Sequence, residues 1–495
     1  MKGLLALSIV PLLAAASPVV VDSIHKDAAP ILSSVDAKVI EDSYIVVFKK
    51  HVTSASAVAH QNWVQNLHTT AMAKRSKLDK RNQFPFKNDV FSGLKHTFDI
   101  AGSLLGYSGS FDEEVIDQVR MHPDVDFIEK DSEVHTTSLE TQNNSPWGLA
   151  RICHRDTLDF PTFNTYLYSD LAGEGVDIYV IDTGINTDHV DFRGRAFWGA
   201  TIPVGEENVD GNGHGTHCAG TSAATTFGVA KKANVYAVKV LRSNGSGTMS
   251  DVVKGVEYAA QSHQKQMKAA KEGTGRKGFK GSVANMSLGG GPSRVLDLAV
   301  NAAVDTGMHF AVAAGNDNAD ACNYSPAAAE SAITVGASTL SDERAFFSNY
   351  GPCVDIFAPG LNILSTWIGS KYAVNTISGT SMASPHVAGL AAYFVSLYPS
   401  TQSAFAVAPL TPEDLKTALT HISTKDILTQ MPEDTKNLLA WNGGGSSNYS
   451  EIVGKGGYNA GSLKDQTKDA LDRLEKLATD ELHAIYSEIK NAFIL

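Results

Sequence analysis

Between Val176 and Ala314 the chain returns again and again to one pattern. The runs VDIYVID, NVYAVKVL, SVANMSL and HFAVAA carry apolar residues without polar alternation, and helical stretches at 250–269 and 294–306 fall between them. A strand with no polar face is covered on both sides, and strands separated by helices run parallel. The expected fold class is therefore α/β: a mostly parallel sheet with helices on both faces.

That unit does not fill the 495 residues, which are too many for one ordinary domain. From about residue 42, DSYIVVFKK reads as a strand and ASAVAHQNWVQNLHTTA as a helix. GLKHTFDI and YSGSFD read as strands, EEVIDQVRMHP as a helix, and VDFIEKDSEV as a closing strand. A small α+β module over 42–134 is expected. The polar stretch HTTSLETQNNSP, residues 135–146, reads as an exposed linker, and a second domain spans 147–441. Beyond Trp441 the run NGGGSSN reads as a spacer. Leu471, Leu474, Ala478, Leu482, Ile485 and Ile489 then fall on one helical face, so 442–495 reads as an appended amphipathic extension.

At the other end, MKGLLALSIVPLLAAAS has a single Lys, an apolar run from Leu4 to Leu13 and a small-residue exit, the build of a secretory signal over residues 1–16. The run is too short to span a bilayer, and no other stretch approaches about 18 uninterrupted apolar residues. A net charge of −12, from 41 basic against 53 acidic residues, offers no surface to nucleic acid or an anionic membrane.

VDIYVIDTGI delivers Asp182 at the carboxyl end of a buried strand, where open α/β sheets gather ligands. DGNGHGTHCAGTSAA puts His214 among glycines at a helix start, and SGTSMASPHVAG does the same for Ser381. A serine hydroxyl is a poor nucleophile at neutral pH; it needs a base, and the base needs an orienting carboxylate. Asn316, closing the strand HFAVAAGN, carries an amide that can donate to a developing oxyanion.

Other chemistry fits less well. DTG occurs at Asp182 and again at Asp305, as in a carboxylate-dyad protease, but Asp305 follows the helical pattern VLDLAVNAAV and neither copy continues into Ser or Thr. His214, His217 and Cys218 have ligand chemistry, yet no H-E-x-x-H or C-x-x-C accompanies them. A binding protein descended from an enzyme is the third alternative, and no substituted triad position supports it.

VIDTGI, GHGTHCAGT, NMSLGGG, AVAAGN and SGTSMASPHVAGLAA together resemble the subtilisin-like serine proteases, nearest to the proteinase K branch and its fungal vacuolar, cerevisin-like enzymes. The resemblance covers roughly Trp147 to Trp441, and the module before it resembles the family's inhibitory propeptide. It implies Asp182 as orienting carboxylate, His214 as general base, Ser381 as nucleophile, and Asn316 with the Ser381 N–H as oxyanion hole. Asn244, Gly245 and Gly247 on one edge, and Ser287, Leu288 and Gly289 on the other, are expected to hold an extended peptide. Ala313 and Gly315 would line an uncharged primary pocket, with Met249 in a second apolar subsite. The implied activity is broad endopeptidase cleavage of proteins and peptides after apolar or aromatic residues, by a monomer made as a self-processing zymogen with its propeptide as inhibitor.

No cofactor is expected in catalysis. A structural calcium is implied at Asp355 with carbonyls near Glu330 and Ala332. Cys322 and Cys353, in loops after core strands, are expected to pair, while Cys153 has no deducible partner and Cys218 reads as a buried thiol. Among the N-x-S/T sequons, Asn143 and Asn448 are the expected glycan sites, since Asn285 falls in a core strand and Asn244 on the substrate edge. The expected destination is the vacuole lumen or, alternatively, the exterior.

Overall fold

A computed structural model describes residues 28–33, 39–82, 93–100, 104–132, 139–399 and 410–459. The segment expected to be a signal, 1–16, and the helix expected within the C-terminal extension, over 463–495, lie outside the described residues. The chain divides into two compact units, Met1–Thr136 with Pro399–Pro409, and Thr137–Tyr398 with Leu410–Leu495.

The first unit is the expected α+β module. Val39–Phe48 is central in a five-stranded sheet, antiparallel to Leu104–Ser110 on one side and Val125–Ser132 on the other. Alternate residues of these strands, Val46, Phe48, Tyr107 and Ile128, meet Val64 of helix Ser54–Asn82 and Val115 and Val119 of helix Glu113–Arg120 in one core. A short edge strand, Ile31–Leu32, adds in parallel to Val125–Ser132 and carries the module upstream of residue 42.

A ten-stranded sheet organises the second unit. Ile356–Pro359, Ile333–Ser338, His309–Ala313, Gly281–Met286, Val176–Asp182, Asn234–Lys239 and Ala196–Thr201 follow one another across it, all parallel. The two-residue side-chain period of a strand sends alternate residues to opposite faces. Ile178 and Val180 join the core beneath helices His214–Ala223 and Thr380–Leu397, while Tyr179 and Ile181 join a separate core with Val252, Val256, Leu296 and Val300 of helices Met249–Lys271 and Arg294–Val304. Each aliphatic side chain so buried stabilises the fold by about 1.5–3 kcal/mol, which is why these strands carry no polar face.

Strand order places the site. From Val176–Asp182 the chain runs to the sheet edge at Ala196–Thr201, returns to Asn234–Lys239, and then crosses to Gly281–Met286 on the far side of the first strand. Connections leave Val176–Asp182 in opposite directions, and such a switch opens a crevice at the strands' carboxyl ends. Asp182, Ser287 and Asn316 all lie at or just past those ends.

Two expected boundaries move. Within the polar stretch taken as linker, Leu139–Asn143 is a strand, paired antiparallel with Thr165–Ser169. The glycines taken as a spacer form a fixed turn: Gly443, Gly444 and Gly445 all have positive φ, a conformation glycine adopts without strain, and a Cβ at Gly445 would overlap Leu139. Past the turn, Ile452 of helix Tyr449–Lys455 is fully buried in the main core, and Tyr458–Asn459 extends the ten-stranded sheet. The domain therefore continues beyond Trp441.

Candidate active site

Asp182 is fully buried at the end of its strand. Its Oδ1 accepts from the Thr183 N–H at 2.7 Å, and Oδ1 and Oδ2 lie 2.9 and 3.0 Å from His214 Nδ1. The imidazole is a quarter exposed. Burial pulls its pKa down, but the negative charge of Asp182 and its hydrogen bond outweigh burial and hold it well above the usual 6.5. With Nδ1–H committed to the carboxylate, neutral His214 has Nε2 left as a base.

His214 opens the helix His214–Ala223, whose first amide groups need acceptors. Asp210 supplies them. Its buried carboxylate accepts from the N–H groups of Asn212, Gly213 and Thr216 and from the Thr183 hydroxyl, while Thr183 Oγ1 accepts from Gly215 N–H. This network ties the residue after Asp182 to the residue after His214, so base and carboxylate are fixed in one frame. The sequence reading missed both Asp210 and Thr183; an Asp shortly ahead of a helix start is the signal that points to the first.

Ser381 lies in the first turn of Thr380–Leu397, a helix that contains Pro385. Lacking an N–H, Pro385 cannot serve the carbonyl four residues back, which is that of Ser381. That carbonyl instead accepts from Ser287 Oγ at 2.8 Å and from Cys218 Sγ at 3.3 Å. A helix defect thus joins the serine to a sheet end and to the histidine's helix. Ser381 Oγ itself donates to the Ser287 carbonyl at 3.2 Å.

Asn316 is oriented by neighbours that leave no ambiguity. Its Oδ1 accepts from Thr380 N–H at 2.8 Å and Thr380 Oγ1 at 2.9 Å. A backbone N–H can only donate, so the oxygen must face Thr380 and the NH₂ is left for another acceptor. Gly315, at φ +104, is forced to be glycine, because a Cβ there would enter the Asn349 amide.

Beside His214 lies a cavity of about 480 Å³. Six of the expected peptide-holding residues line it: Gly245, Gly247, Met249, Ser287, Leu288 and Gly289. Leu241, Val252 and Leu296 add apolar wall that the sequence reading did not name. Asn244, Ala313 and Gly315 are not among its lining. Asn244 turns into its own loop, where Oδ1 accepts from Ser246 N–H and Oγ.

Cys322 and Cys353 form a disulfide, and Cys153 and Cys218 are free and buried. His217 turns away from His214 and donates to the Ile363 carbonyl at 2.9 Å. Asp182, His214 and Cys218 present ligand-type atoms within 4.8 Å of one another, but Asp182 and His214 are each other's hydrogen-bond partners and the thiol serves the Ser381 carbonyl. Asp305 follows a helix and precedes the strand His309–Ala313, which puts it at the amino end of the parallel sheet, opposite Asp182. A two-aspartate site is thereby excluded.

The calcium position implied at Asp355 does not fit that ion. Lys416 Nζ stands 2.7 Å from Asp355 Oδ2, 2.9 Å from the Glu330 carbonyl and 2.7 Å from the Ala332 carbonyl, among the oxygens expected to bind it.

A buried aspartate on a histidine, with a serine at a helix start and amide donors beside it, gathered at the carboxyl edge of a parallel sheet, defines a serine hydrolase. Residues 173–456 match the Subtilase family, and residues 43–137 match peptidase inhibitor I9. The chain is 70% identical to a subtilisin-like protease of Coccidioides posadasii and 68% identical to alkaline protease 2 of Aspergillus fumigatus, over the full length of both chains in each case. It is 72% identical to the subtilisin-like serine protease Pen c 2 of Penicillium citrinum, over 92% of this chain and all of that one. Among solved structures, a cold-adapted subtilisin-like serine proteinase matches with a TM-score of 0.53 and 42% identity, covering 61% of this chain and 99% of its own. The chain belongs to the subtilase family of serine proteases, with an I9 inhibitor domain ahead of its peptidase domain.

Proposed function

We propose that this protease is a broad-specificity endopeptidase in which Asp182 orients His214, His214 deprotonates Ser381, and Ser381 attacks the scissile carbonyl to form an acyl-enzyme. The observation that carries the reading is the grip of both Asp182 oxygens on His214 Nδ1, which leaves Nε2 as the base. Attack requires Ser381 Oγ to leave the Ser287 carbonyl and hydrogen bond to Nε2, a tightening characteristic of substrate-bound sites. The Asn316 NH₂ and the Ser381 N–H then receive the oxyanion.

An extended peptide adds as a strand between Gly245–Gly247 and Ser287–Gly289, gaining affinity from main-chain bonds. Met249 forms an apolar subsite, and Ala313 and Gly315 give the primary pocket no charge. Cleavage after apolar or aromatic residues follows; a peptide library in which basic residues dominate before the cut bond would overturn that specificity.

The I9 domain acts as an intramolecular inhibitor, and the enzyme cuts the junction after Val134 itself. The active form is a monomer that requires no cofactor for catalysis. The signal-like segment supports entry into the secretory pathway; the resemblance favours the vacuole lumen over export, and immunolocalisation of the processed form decides between them. Asn143 and Asn448, both exposed, carry glycans, and residues 463–495 are removed on maturation. Intact-mass analysis tests both.

The central test is Ser381→Ala, expressed without other proteases. It is expected to fold, to accumulate as an uncut proform and to have no peptidase activity, and a sulfonyl fluoride is expected to label Ser381 in the wild type but nothing in the variant. Normal maturation of Ser381→Ala would refute self-processing, and residual activity would refute the nucleophile.

A further inference from the structure

Asp355 lies immediately before the strand Ile356–Pro359 and is buried. Its Oδ2 accepts from Thr334 N–H at 3.1 Å and meets Lys416 Nζ at 2.7 Å, and its Oδ1 meets Lys436 Nζ at 3.2 Å. Lys416 Nζ also donates to the carbonyls of Ala332 at 2.7 Å and Glu330 at 2.9 Å. An ammonium has three N–H donors, and these three oxygens take all of them.

The reach of Lys416 is set by the fold. Its helix, Pro412–Ile422, is capped by the Thr411 hydroxyl and starts on a proline, both strong start signals. Leu415, Leu419 and Ile422 anchor that helix in the main core. With its backbone held there, the Lys416 side chain spans from helix to loop, and it is less than a quarter exposed.

Calcium asks for something else: six to eight oxygens at about 2.3–2.6 Å and a negative surround. Here the oxygens are spaced for hydrogen bonds, the centre is a nitrogen, and a second ammonium sits on the other carboxylate oxygen. A dication would have to evict Lys416 and remain beside Lys436. We infer that Lys416 is the resident cation of this locus, joining the Glu330–Ala332 loop to Asp355 in place of a bound calcium, so that wild-type stability owes nothing to calcium here. An ammonium also holds backbone carbonyls at Lys231, there without a contacting carboxylate among the described residues: it donates to the carbonyls of Thr225 and Gly228 and faces the rings of Tyr166 and Tyr168.

Thermal melts of the mature enzyme, inactivated with a sulfonyl fluoride and measured in excess calcium or in chelator, test the inference. The quantity read is the part of the calcium effect on Tm that Asp355→Asn abolishes, which sets aside ions bound elsewhere. In the wild-type background it is expected to be zero. In Lys416→Met, where the oxygens lose their ammonium, Tm is expected to fall by roughly 3–6 °C in chelator and to be partly restored by calcium through Asp355, more fully when Lys436→Met is added. An Asp355-dependent calcium effect in the wild type would overturn the inference, and so would its absence from Lys416→Met/Lys436→Met. Should the lysine variants fail to fold, the wild-type arm alone still decides against it if positive, and Lys416→Gln, which cannot supply the charge, replaces Lys416→Met in the second arm.

Discussion

Asp182 and Asp355 are both buried carboxylates of one parallel sheet, and they do opposite work. Asp182 ends its strand and faces a single imidazole; Asp355 precedes its strand, at the other end of the sheet, and faces two ammoniums. Each offsets the cost of burying its charge with a partner and backbone N–H groups. The partners differ in what they can become. An imidazole can accept a proton and return it, so the His214 pairing can be used in a reaction; an ammonium has N–H donors and no lone pair, so the lysines' pairing serves only to hold segments together.

Exchanging each aspartate for asparagine should separate these roles most sharply. Asp182→Asn is expected to lower turnover by about 10⁴ by letting the imidazole adopt the wrong tautomer, with little change in Tm. Asp355→Asn is expected to leave turnover intact and to lower Tm by roughly 3–6 °C. The pH profile adds a sign check. Activity needs neutral His214, and Asp182 raises its pKa above 6.5, so the rate should climb through a midpoint above pH 6.5 and be lost below it. Asp182→Asn removes the charge, and the midpoint of the residual rate should move down. If both variants lost activity alike, or if the wild-type midpoint lay below 6.5, the contrast between the two sites would be false.

Only one of the two sites was legible in the sequence. Asp182, His214, Asn316 and Ser381 each stand where a local pattern ends, at a strand terminus or a helix start, so the pattern itself says what the neighbouring backbone offers. The Asp355 site has no such signature. Lys416 reaches carbonyls 84 and 86 residues away in the chain, and nothing about a lysine on a helix declares which loop it will enter. For the same reason the resemblance could name the oxygens and still miss what fills them. The glycines of NGGGSSN were misread because composition cannot distinguish glycine used for freedom from glycine used for positive φ. Leu139–Asn143 was misread because a polar strand shows itself only through its partner, Thr165–Ser169.

A smaller effect tests whether the catalytic end depends on charge placement beyond Asp182. Asn316→Ala removes a neutral donor aimed by Thr380, and it should lower turnover by about 10²–10³ while KM changes little, since the oxyanion exists only after attack. Processing of the proform should be slow but detectable. An equal loss in kcat and in substrate affinity would mean that Asn316 binds ground-state peptide, contrary to its assigned role.

The finest distinction concerns the second neighbour in each site. At Asp355 the second neighbour, Lys436, carries a full charge. At His214 it is Cys218, whose Sγ is 4.0 Å from Nδ1 and donates at 3.3 Å to the Ser381 carbonyl that Pro385 leaves without a helical partner. A thiol is a weak donor, and the same carbonyl keeps the Ser287 hydroxyl at 2.8 Å. A typical hydrogen bond contributes a net 0.5–1.5 kcal/mol, or about two- to twelvefold in rate if all of it positions the serine. Cys218→Ala should therefore sit near the low end, about twofold in turnover with the pH midpoint nearly unmoved, and Ser287→Ala near the high end. A Cys218→Ala loss as large as that of Asn316→Ala, or a clear shift of the pH midpoint, would mean that the thiol acts on His214 itself and that the imidazole has a second electrostatic partner, as Asp355 does.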